Sequence, residues 1–311
     1  MSLTCWILTD GRTGTENNAR GLAEALGLSY EIKTIHLRQP WKTLSPWLRL
    51  GLKYALGGDN LTPPWPDLLI TAGRTPAVGS LYVGQQNPDT VRVHITKPGI
   101  SPDHFDLVIA PAHDDLRGRN VITTMGALHR VTTEKLTNAK SRWEPRFAHL
   151  PRPWHGVLVG GDAHGLTLDA TTAYDFMEKI NALGGSTLVT ASRRTRPEAR
   201  SELEELASYL WDGAGDNPYL GLLACCDSLF VTSDSVSMLS EAASSGKPNY
   251  LLELPGHAPK HERFHKIMLE NGHLARFTGT LATAPTTRLD DMEKVTAAVR
   301  KLLIARGKLS G

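Results

Sequence analysis

The residues best suited to bind a ligand lie in the stretch Leu229–Pro248, where a polar turn joins a strand pattern to a helix pattern. Leu229–Val231 is a short apolar run typical of a buried strand. The side-chain oxygens of Thr232–Ser235 can accept hydrogen bonds from the first N–H groups of a helix, which favours a helix start here. The helix pattern continues to Gly246, and Pro248 prevents its extension.

Two faces of this predicted helix differ in polarity. Apolar side chains at positions i, i+3 and i+7 predict a buried face formed by Val236, Leu239 and Ala243. Asp234, Ser237 and Glu241 have the same spacing and share a different face. Because a helix N-terminus favours anions, the turn amides suit a phosphate ester, and the carboxylate suits the two hydroxyls of an attached ribose. The same residues also fit an ordinary strand–helix connection with a serine-rich solvent face.

Composition narrows the classes of function. The chain has 311 residues, enough for two domains, and its formal net charge of +2 argues against bulk nucleic-acid binding. No apolar stretch is long enough to span a bilayer. Cys5, Cys225 and Cys226 form a poor disulfide framework, which indicates reduced thiols and a cytoplasmic location. No charged segment precedes the first strand, so we expect no secretory signal.

Short apolar runs alternate with helical patterns along the chain, which predicts parallel sheets whose ligands bind at the carboxyl ends of the strands. The predicted strands are Leu3–Leu8, Tyr30–Ile35, Asp67–Thr71, Val91–Ile95, Leu107–Ala110, Gly156–Val159, Ser186–Thr190, Leu229–Val231 and Asn249–Leu254. Three prolines and weak periodicity in Trp143–Trp154 predict a linker. We therefore predict an α/β protein with an N-terminal domain over 1–150 and a C-terminal domain over 151–290. The helix within 291–311 is expected to pack across the junction between them.

Turns that suit anions follow several of these strands. Gly160–Asp162 is a glycine-rich turn after the first strand of the second domain. The arginines in Ser192–Arg194 can hold phosphate oxygens, although a solvated helix start has the same composition. Asp10 and Gly11 follow the first strand of the chain, in a loop that places backbone amides at a ligand but lacks the dinucleotide G-x-G-x-x-G spacing.

The segment Trp41–Gly57 interleaves tryptophans and leucines with basic residues and contains no acid. This pattern suits contact with a membrane surface or an acidic partner, and would make the protein peripheral to the inner membrane. A helix that packs between domains, with its lysines reaching solvent, also fits, and Pro46 interrupts the periodicity.

Residues His261–His265 read H-E-x-x-H, the arrangement found in zinc proteases. Their position late in a repeating α/β pattern favours a helix start with exposed histidines. We therefore assign no metal ligands.

The second half of the chain resembles the nucleotide-sugar half of GT-B glycosyltransferases, such as the lipid-linked muramyl-peptide N-acetylglucosaminyltransferase of cell-wall synthesis. Ser237–Pro248 fits the helix of that family, which reads T-V-S-E followed by small residues and G-x-P. The resemblance implies that Glu241 holds the ribose hydroxyls and that Gly160–Asp162 face the diphosphate. Two glutamine positions that contact the donor sugar in that family correspond to His261 and Glu262 here.

A second resemblance extends over nearly the whole chain. Several stretches together are similar to the plant "elongated mitochondria" family of mitochondrial fission proteins and its bacterial relatives: Asp10–Arg12 with Gly14, Gly21–Ala23, Thr71–Arg74, Thr190–Thr195 and Val231–Met238. They include the further candidate binding residues Gly11, Gly14, Gly73 and Arg74. The plant members act as adaptors that recruit fission machinery, and the bacterial relatives are commonly described as predicted nucleoside-diphosphate-sugar epimerases.

These observations predict a GT-B-like protein with two Rossmann-like domains facing a central cleft. Its expected ligand is a nucleotide-sugar, UDP-linked, with no certain cofactor. Glu241 would hold the ribose, while Arg193-Arg194, Gly161 and the Ser233–Ser235 amides would stabilise the departing diphosphate. We expect glycosyl transfer to a lipid-linked or other envelope acceptor, with Asp10 as the general base.

Three alternatives remain open at this point. Epimerisation at the second carbon of the sugar needs further acid/base carboxylates in the cleft. A non-catalytic adaptor needs none, and a zinc hydrolase needs stoichiometric metal.

Overall fold

The computed structural model describes residues 3–44, 51–281 and 287–310 of the chain. These residues divide into two compact units. The first comprises Met1–Arg130 together with Asp290–Gly311, and the second comprises Val131–Leu289.

The first unit is built on a mostly parallel sheet. Its strands are β1 (Cys5–Thr9), β2 (Glu31–Leu37), β3 (Leu56–Gly58), β4 (Leu68–Ala72), β5 (Val91–Ile95), β6 (Leu107–Pro111) and β7 (Val121–Thr124). Their order across the sheet is β3-β2-β1-β4-β5-β6-β7, and only β3 runs antiparallel among the described strands. The order reverses between β1 and β4, where the register pairs Ile7 with Ile70. In open α/β sheets a crevice for ligands lies at the carboxyl ends of the two strands that flank such a reversal.

Helices cover both faces of this sheet, which explains why the central strands β1 and β4 are buried at every position rather than at alternate ones. The helices that precede β5 are α1 (Thr13–Ala25), α2 (Trp41–Leu44), α3 (Leu52–Ala55) and α4 (Arg74–Gln86). Ile7, Ile70 and Leu22 are completely buried in the same core cluster. None of the helices that the structure describes has the length and apolarity needed to cross a bilayer.

The second unit repeats this architecture with a fully parallel sheet. Its strands are β8 (Trp154–Val159), β9 (Ser186–Ala191), β10 (Tyr209–Leu210), β11 (Ser228–Thr232), β12 (Asn249–Leu252) and β13 (Ala275–Arg276). Its helices are α5 (Thr133–Phe147), α6 (Ala170–Asn181), α7 (Pro197–Leu206), α8 (Tyr219–Cys225), α9 (Val236–Ser244) and α10 (Pro259–Glu270). The strand order is β10-β9-β8-β11-β12-β13, so the reversal lies between β8 and β11.

The interpretation of Trp143–Trp154 as a linker is wrong. Helix α5 continues to Phe147 with Pro145 inside it, and Trp154 is the first residue of β8. The three aromatic side chains in this stretch are buried, and the rings of Trp143 and Phe147 stack with their centroids 5.6 Å apart. The two compact units divide between Arg130 and Val131, before α5, and not near residue 150.

The last helix, α11 (Asp291–Ala305), contributes to the core of the first unit. Val295, Val299 and Leu303 are completely buried there. At its start, the carboxylate of Asp291 accepts hydrogen bonds from the backbone N–H groups of Met125 and Gly126, at 2.7 and 2.8 Å. This carboxylate therefore joins the C-terminal helix to a loop about 165 residues earlier in the chain.

We expect Asp291→Ala to reduce the free energy of unfolding by about 2–3 kcal/mol, because two backbone donors would lose a charged acceptor. Urea unfolding measures the change. Asp290→Ala is the matched control, since the adjacent Asp290 is exposed and makes no side-chain cap bond, and its effect should stay within about 0.5 kcal/mol. Equal effects of the two substitutions would contradict this role for Asp291.

Candidate functional site

Most of the residues predicted to bind the donor come together at the reversal of the second sheet. The turn Gly160–Asp162 follows β8, and Ser233–Ser235 follow the neighbouring strand β11. The loop Ser192–Arg194 follows β9 on the other side of β8. All three turns lie at the carboxyl edge of the sheet, because the strands that lead into them are parallel.

The carboxylate of Asp234 holds two of these turns together. It is buried and accepts hydrogen bonds from the Gly161 N–H at 3.2 Å and from the Thr232 hydroxyl at 2.7 Å. The Thr232 hydroxyl in turn accepts the Gly160 N–H at 2.8 Å. Arg194 supplies the counter-charge, with its Nη2 atom 2.8 Å from Asp234 Oδ2. A buried carboxylate is stable only with partners of this kind.

The two glycines are required by close packing. A Cβ atom on Gly160 would overlap the Asp234 carboxylate, and one on Gly161 would overlap the backbone carbonyl of Arg194. Gly161 also has a φ of +150°, which L side chains rarely adopt. This turn is therefore packed against the Asp234 carboxylate and the Arg194 backbone, and the N–H groups of both glycines already have acceptors within the protein.

The loop after β9 is attached to the same turn. The hydroxyls of Ser192 and Thr195 both donate to the Gly160 carbonyl at 2.5 Å. Arg193 is exposed and forms no ion pair or hydrogen bond within the described ranges. Of the two predicted arginines, Arg194 is thus engaged by Asp234, and Arg193 is available to an anion.

Several predicted binding residues have side chains that already form hydrogen bonds or ion pairs within the protein. The Asp162 carboxylate accepts the Leu168 N–H at 3.0 Å and pairs with Arg196, which lowers the pKa of Asp162. The hydroxyl of Ser233 accepts the Leu254 N–H at 3.0 Å, and that of Ser235 caps α9 by accepting the Met238 N–H at 3.3 Å. The backbones of Ser233 and Ser235 still form the turn between β11 and α9. Ser237 is half-buried in the first turn of α9.

Glu241 lies on the same helix and is half-buried. The hydroxyl of Tyr219 donates a hydrogen bond to its Oε2 atom. Burial raises the pKa of Glu241, while this hydrogen bond lowers it. Burial and the adjacent carboxylate both raise the pKa of Tyr219, which keeps the phenol protonated. The Oε1 atom of Glu241 accepts no hydrogen bond from the part of the chain that the structure describes.

The two histidines of the H-E-x-x-H sequence are buried, not exposed as predicted. The ring of His261 forms a hydrogen bond with the backbone of Asp234, and that of His265 with the backbone of Ser233. Burial lowers the pKa of both, to about 4 for His265. The α10 face with these rings therefore supports the turn after β11. Among residues 3–44, 51–281 and 287–310, no group of three or more His, Cys, Asp or Glu could hold a metal ion.

The remaining residue of that sequence, Glu262, serves its own helix. Its carboxylate accepts the Ala258 N–H at 3.0 Å and lies 2.8 Å from His257 Nδ1. The ring of His164 packs on the ring of His261, with centroids 4.6 Å apart.

The predicted residues of the first unit lie near the reversal of its own sheet, after β1 and β4: Asp10, Gly11, Gly14, Gly73 and Arg74. Asp10 accepts the Arg12 N–H at 3.4 Å and lies 3.6 Å from Arg12 Nε, with 15% of its side chain exposed. Gly11 and Gly73 have φ values of +82° and +88°, while Gly14 lies inside α1. Arg74 is exposed and has no ion pair or hydrogen bond among the described residues.

In the segment Trp41–Gly57, residues 45–50 lie outside the described ranges. The remainder forms the short helices α2 and α3 and the start of β3. Leu52 and Ala55 are buried, whereas the side chain of Tyr54 is 69% exposed. Membrane contact through this segment stays a prediction.

Sequence reasoning missed Tyr219 and the structural role of Thr232. Tyr219 precedes its partner by 22 residues, on a different helix, and no spacing rule connects them. Thr232 was interpreted as one of several helix caps, although its hydroxyl bonds to Asp234 two residues later. The available signal was a threonine two residues before an aspartate at the end of a buried strand.

A comparison with protein families shows which family this chain belongs to. The family model described as mitochondrial fission ELM1 matches residues 13–303. The chain belongs to this family. The mitochondrial fission protein ELM1 of Arabidopsis thaliana is 31% identical over 389 aligned positions, covering 97% of this chain and 91% of that protein. The whole-chain resemblance seen in the sequence is thereby confirmed.

Solved structures similar to this member of the ELM1 family confirm the GT-B fold. A UDP-GlcNAc 2-epimerase of Methanocaldococcus jannaschii, solved with UDP-GlcNAc and UDP, superposes with a TM-score of 0.53 at 12% identity, covering 98% of this chain and 100% of that one. MurG of Acinetobacter baumannii superposes with a TM-score of 0.51 at 11% identity, covering 99% and 92%. Identities this low establish the fold and not the reaction.

We expect Gly160→Ala to destabilise the protein by about 2 kcal/mol or more, because the new methyl group displaces the buried Asp234 carboxylate from its donors. Thermal or urea unfolding measures this. Gly14→Ala is the matched control, since Gly14 is helical with open space around it and should gain up to about 1 kcal/mol. A Gly160→Ala protein as stable as the unmodified chain would refute the packing argument.

His265 should make stability depend on pH. Its folded-state pKa of about 4 lies below the ordinary 6.5, so the unfolded chain takes up a proton that the folded chain does not. This contribution is fully present above pH 6.5 and is lost as the pH falls towards 4, by about 3 kcal/mol. Urea unfolding between pH 7 and 4.5 should show a shallower loss for His265→Gln than for the exposed control His149→Gln. Parallel pH profiles for the two variants would disprove the assignment.

Proposed function

We propose that this protein binds a nucleoside diphosphate-sugar at the carboxyl edge of the second sheet and transfers its glycosyl group to a cell-envelope acceptor. The observation that carries the proposal is the arrangement around Asp234. Asp234 fixes the glycine turn after β8 beside the start of α9, and an arginine without a described partner, Arg193, lies in the loop after β9. A carboxylate with an unused oxygen, Glu241, lies further along α9.

The diphosphate is the group that fits this edge. The first N–H groups of α9 have no acceptor within the helix and favour an anion. Arg193 adds a guanidinium without another partner among the described residues. Glu241 is the sixth residue of α9, about 7.5 Å along the helix axis from its start, within reach of a ribose attached to a bound phosphate.

The same groups would assist the reaction. In glycosyl transfer the bond between the anomeric carbon and the diphosphate oxygen breaks, and the leaving group gains negative charge. Arg193 and the N–H groups at the start of α9 would stabilise that charge directly, and Arg194, although paired with Asp234, would add positive charge beside it. Asp10 of the first unit would take the proton from the acceptor hydroxyl as the new bond forms.

Uridine diphosphate is the first ligand to test, because the M. jannaschii epimerase that shares this fold was solved with UDP and UDP-GlcNAc.

We propose that the acceptor is lipid-linked or another envelope component, and that the basic segment 41–57 contacts the membrane that carries it. Burial raises the pKa of the Cys5 thiol to about 12 and that of the Cys225 thiol to about 11, so both thiols stay protonated and weakly nucleophilic. We also propose a cytoplasmic location, because free cysteines are typical of a reducing compartment.

Replacing Glu241 with glutamine should weaken UDP binding about tenfold to hundredfold, because a charged acceptor for the ribose hydroxyls is lost. Isothermal titration calorimetry measures the affinity. Glu205→Gln on the exposed face of α7 is the matched control and should bind like the unmodified protein. Absence of binding heat with UDP and UDP-GlcNAc in the unmodified protein would sink the proposal.

Incubation with a nucleotide-sugar in heavy water separates the possible outcomes. Transfer releases nucleotide without deuterium in the remaining donor, whereas an epimerase introduces deuterium at the second carbon of the sugar. Binding with neither product identifies a non-catalytic adaptor and overturns the catalytic part of the proposal.

A further inference from the structure

The hydrogen bond between Tyr219 and Glu241 joins the start of α8 to the second turn of α9. Tyr219 is the first residue of α8, and its N–H donates to the Asn217 side chain at 2.9 Å. Its ring is half-buried, and its hydroxyl donates to Glu241 Oε2 on α9. Both helices pack in the second unit and follow each other around β11.

A glutamate side chain has three rotatable bonds and is costly to immobilise when a ligand binds. A tyrosine ring has only two, and here its backbone is fixed at the beginning of a helix. A phenol has one proton to donate, so it engages one carboxylate oxygen and leaves the other as an acceptor. In the described residues that other oxygen, Oε1, has no partner.

We propose that Tyr219 is a positioning residue of the nucleotide site, which holds Glu241 so that Oε1 is available to the ribose hydroxyls. This inference rests on the proposed function. Tyr219 itself makes no contact with the ribose in this arrangement, and it acts by fixing the Glu241 carboxylate before the ligand arrives.

The electrostatics of the pair support this role. Burial favours the protonated form of Glu241, and the Tyr219 hydrogen bond opposes it by favouring the carboxylate. Tyr219 is the one titratable group in the described chain that shifts the pKa of Glu241. Removing the phenol hydroxyl therefore raises the pKa of Glu241 further, and acidification abolishes its acceptor function at a higher pH.

Tyr219→Phe tests the inference by removing one oxygen atom. We expect the dissociation constant for UDP at pH 7.5 to rise about tenfold, because Glu241 loses an oriented hydrogen bond to its carboxylate. The midpoint at which affinity is lost on acidification should move to higher pH than in the unmodified protein. Glu241→Gln should show no such midpoint, because it has no carboxylate to protonate.

Tyr209→Phe is the matched control. Tyr209 belongs to the same unit, its ring packs on Phe147 with centroids 5.3 Å apart, and its hydroxyl makes no hydrogen bond among the described residues. It should leave both affinity and pH profile unchanged. Thermal unfolding of each variant shows whether the fold is retained. The variant Tyr219→His keeps a hydrogen-bond donor on a ring, so it should bind UDP more tightly than Tyr219→Phe does.

The outcomes separate the two proposals. If the unmodified protein binds no UDP, the proposed function fails. If it binds UDP and Glu241→Gln weakens binding, but folded Tyr219→Phe keeps the affinity and pH profile of the control, the positioning role is wrong. Tighter binding by Tyr219→Phe would show that the phenol competes with the ribose, which also overturns it.

Discussion

The buried carboxylate of Asp234 is the constraint on which the second unit's site depends. It takes a backbone N–H from the turn after β8, a hydroxyl from the end of β11 and a guanidinium from the loop after β9. A carboxylate removed from water needs all of its partners, because loss of one leaves a buried charge uncompensated. Three separate loops are thereby held at one edge of the sheet.

This constraint explains which polar groups are used internally and which remain for a ligand. Asp234 engages Arg194, and Asp162 engages Arg196, so these arginines are partly neutralised. Arg193 lies next to them in sequence and has no partner within the described ranges. The histidines of α10 bond to the backbone of the turn after β11, which makes them part of the support. The chemistry suggested by H-E-x-x-H is thus replaced by a structural role.

The two units share the strand order around the reversal but differ in the polar side chains that lie there. In the second unit a buried acid organises the turn. In the first unit the described partner of Asp10 is Arg12, two residues later, and Gly73, which has a positive φ, directly precedes the exposed Arg74. Membership of the ELM1 family and the GT-B fold agree with this repeated architecture. Neither specifies the chemistry, which depends on side chains at these edges.

Local sequence by itself determined the strand–turn–helix unit and the fold class. The apolar run, the capping serine and the glycine after the helix specify β11 and α9 nearly to the residue, and Gly246 adopts a φ of +77° as a helix terminator does. These features depend on residues that are close in the chain, so the spacing of apolar residues is enough to predict them. The two-residue strands β10 and β13 are too short to show any period.

Only the tertiary structure decided what the polar side chains do. Asp162, Ser233 and Glu262 have the residue types of ligand contacts, yet their partners are Arg196, Leu254 and Ala258. Trp143–Trp154 has the composition of a linker, yet its aromatic rings are buried. Tyr219 and Glu241 meet because α8 and α9 flank one strand, which no spacing along the chain encodes. Burial and distant partners change the role of a side chain, and both arise only when the sheets assemble.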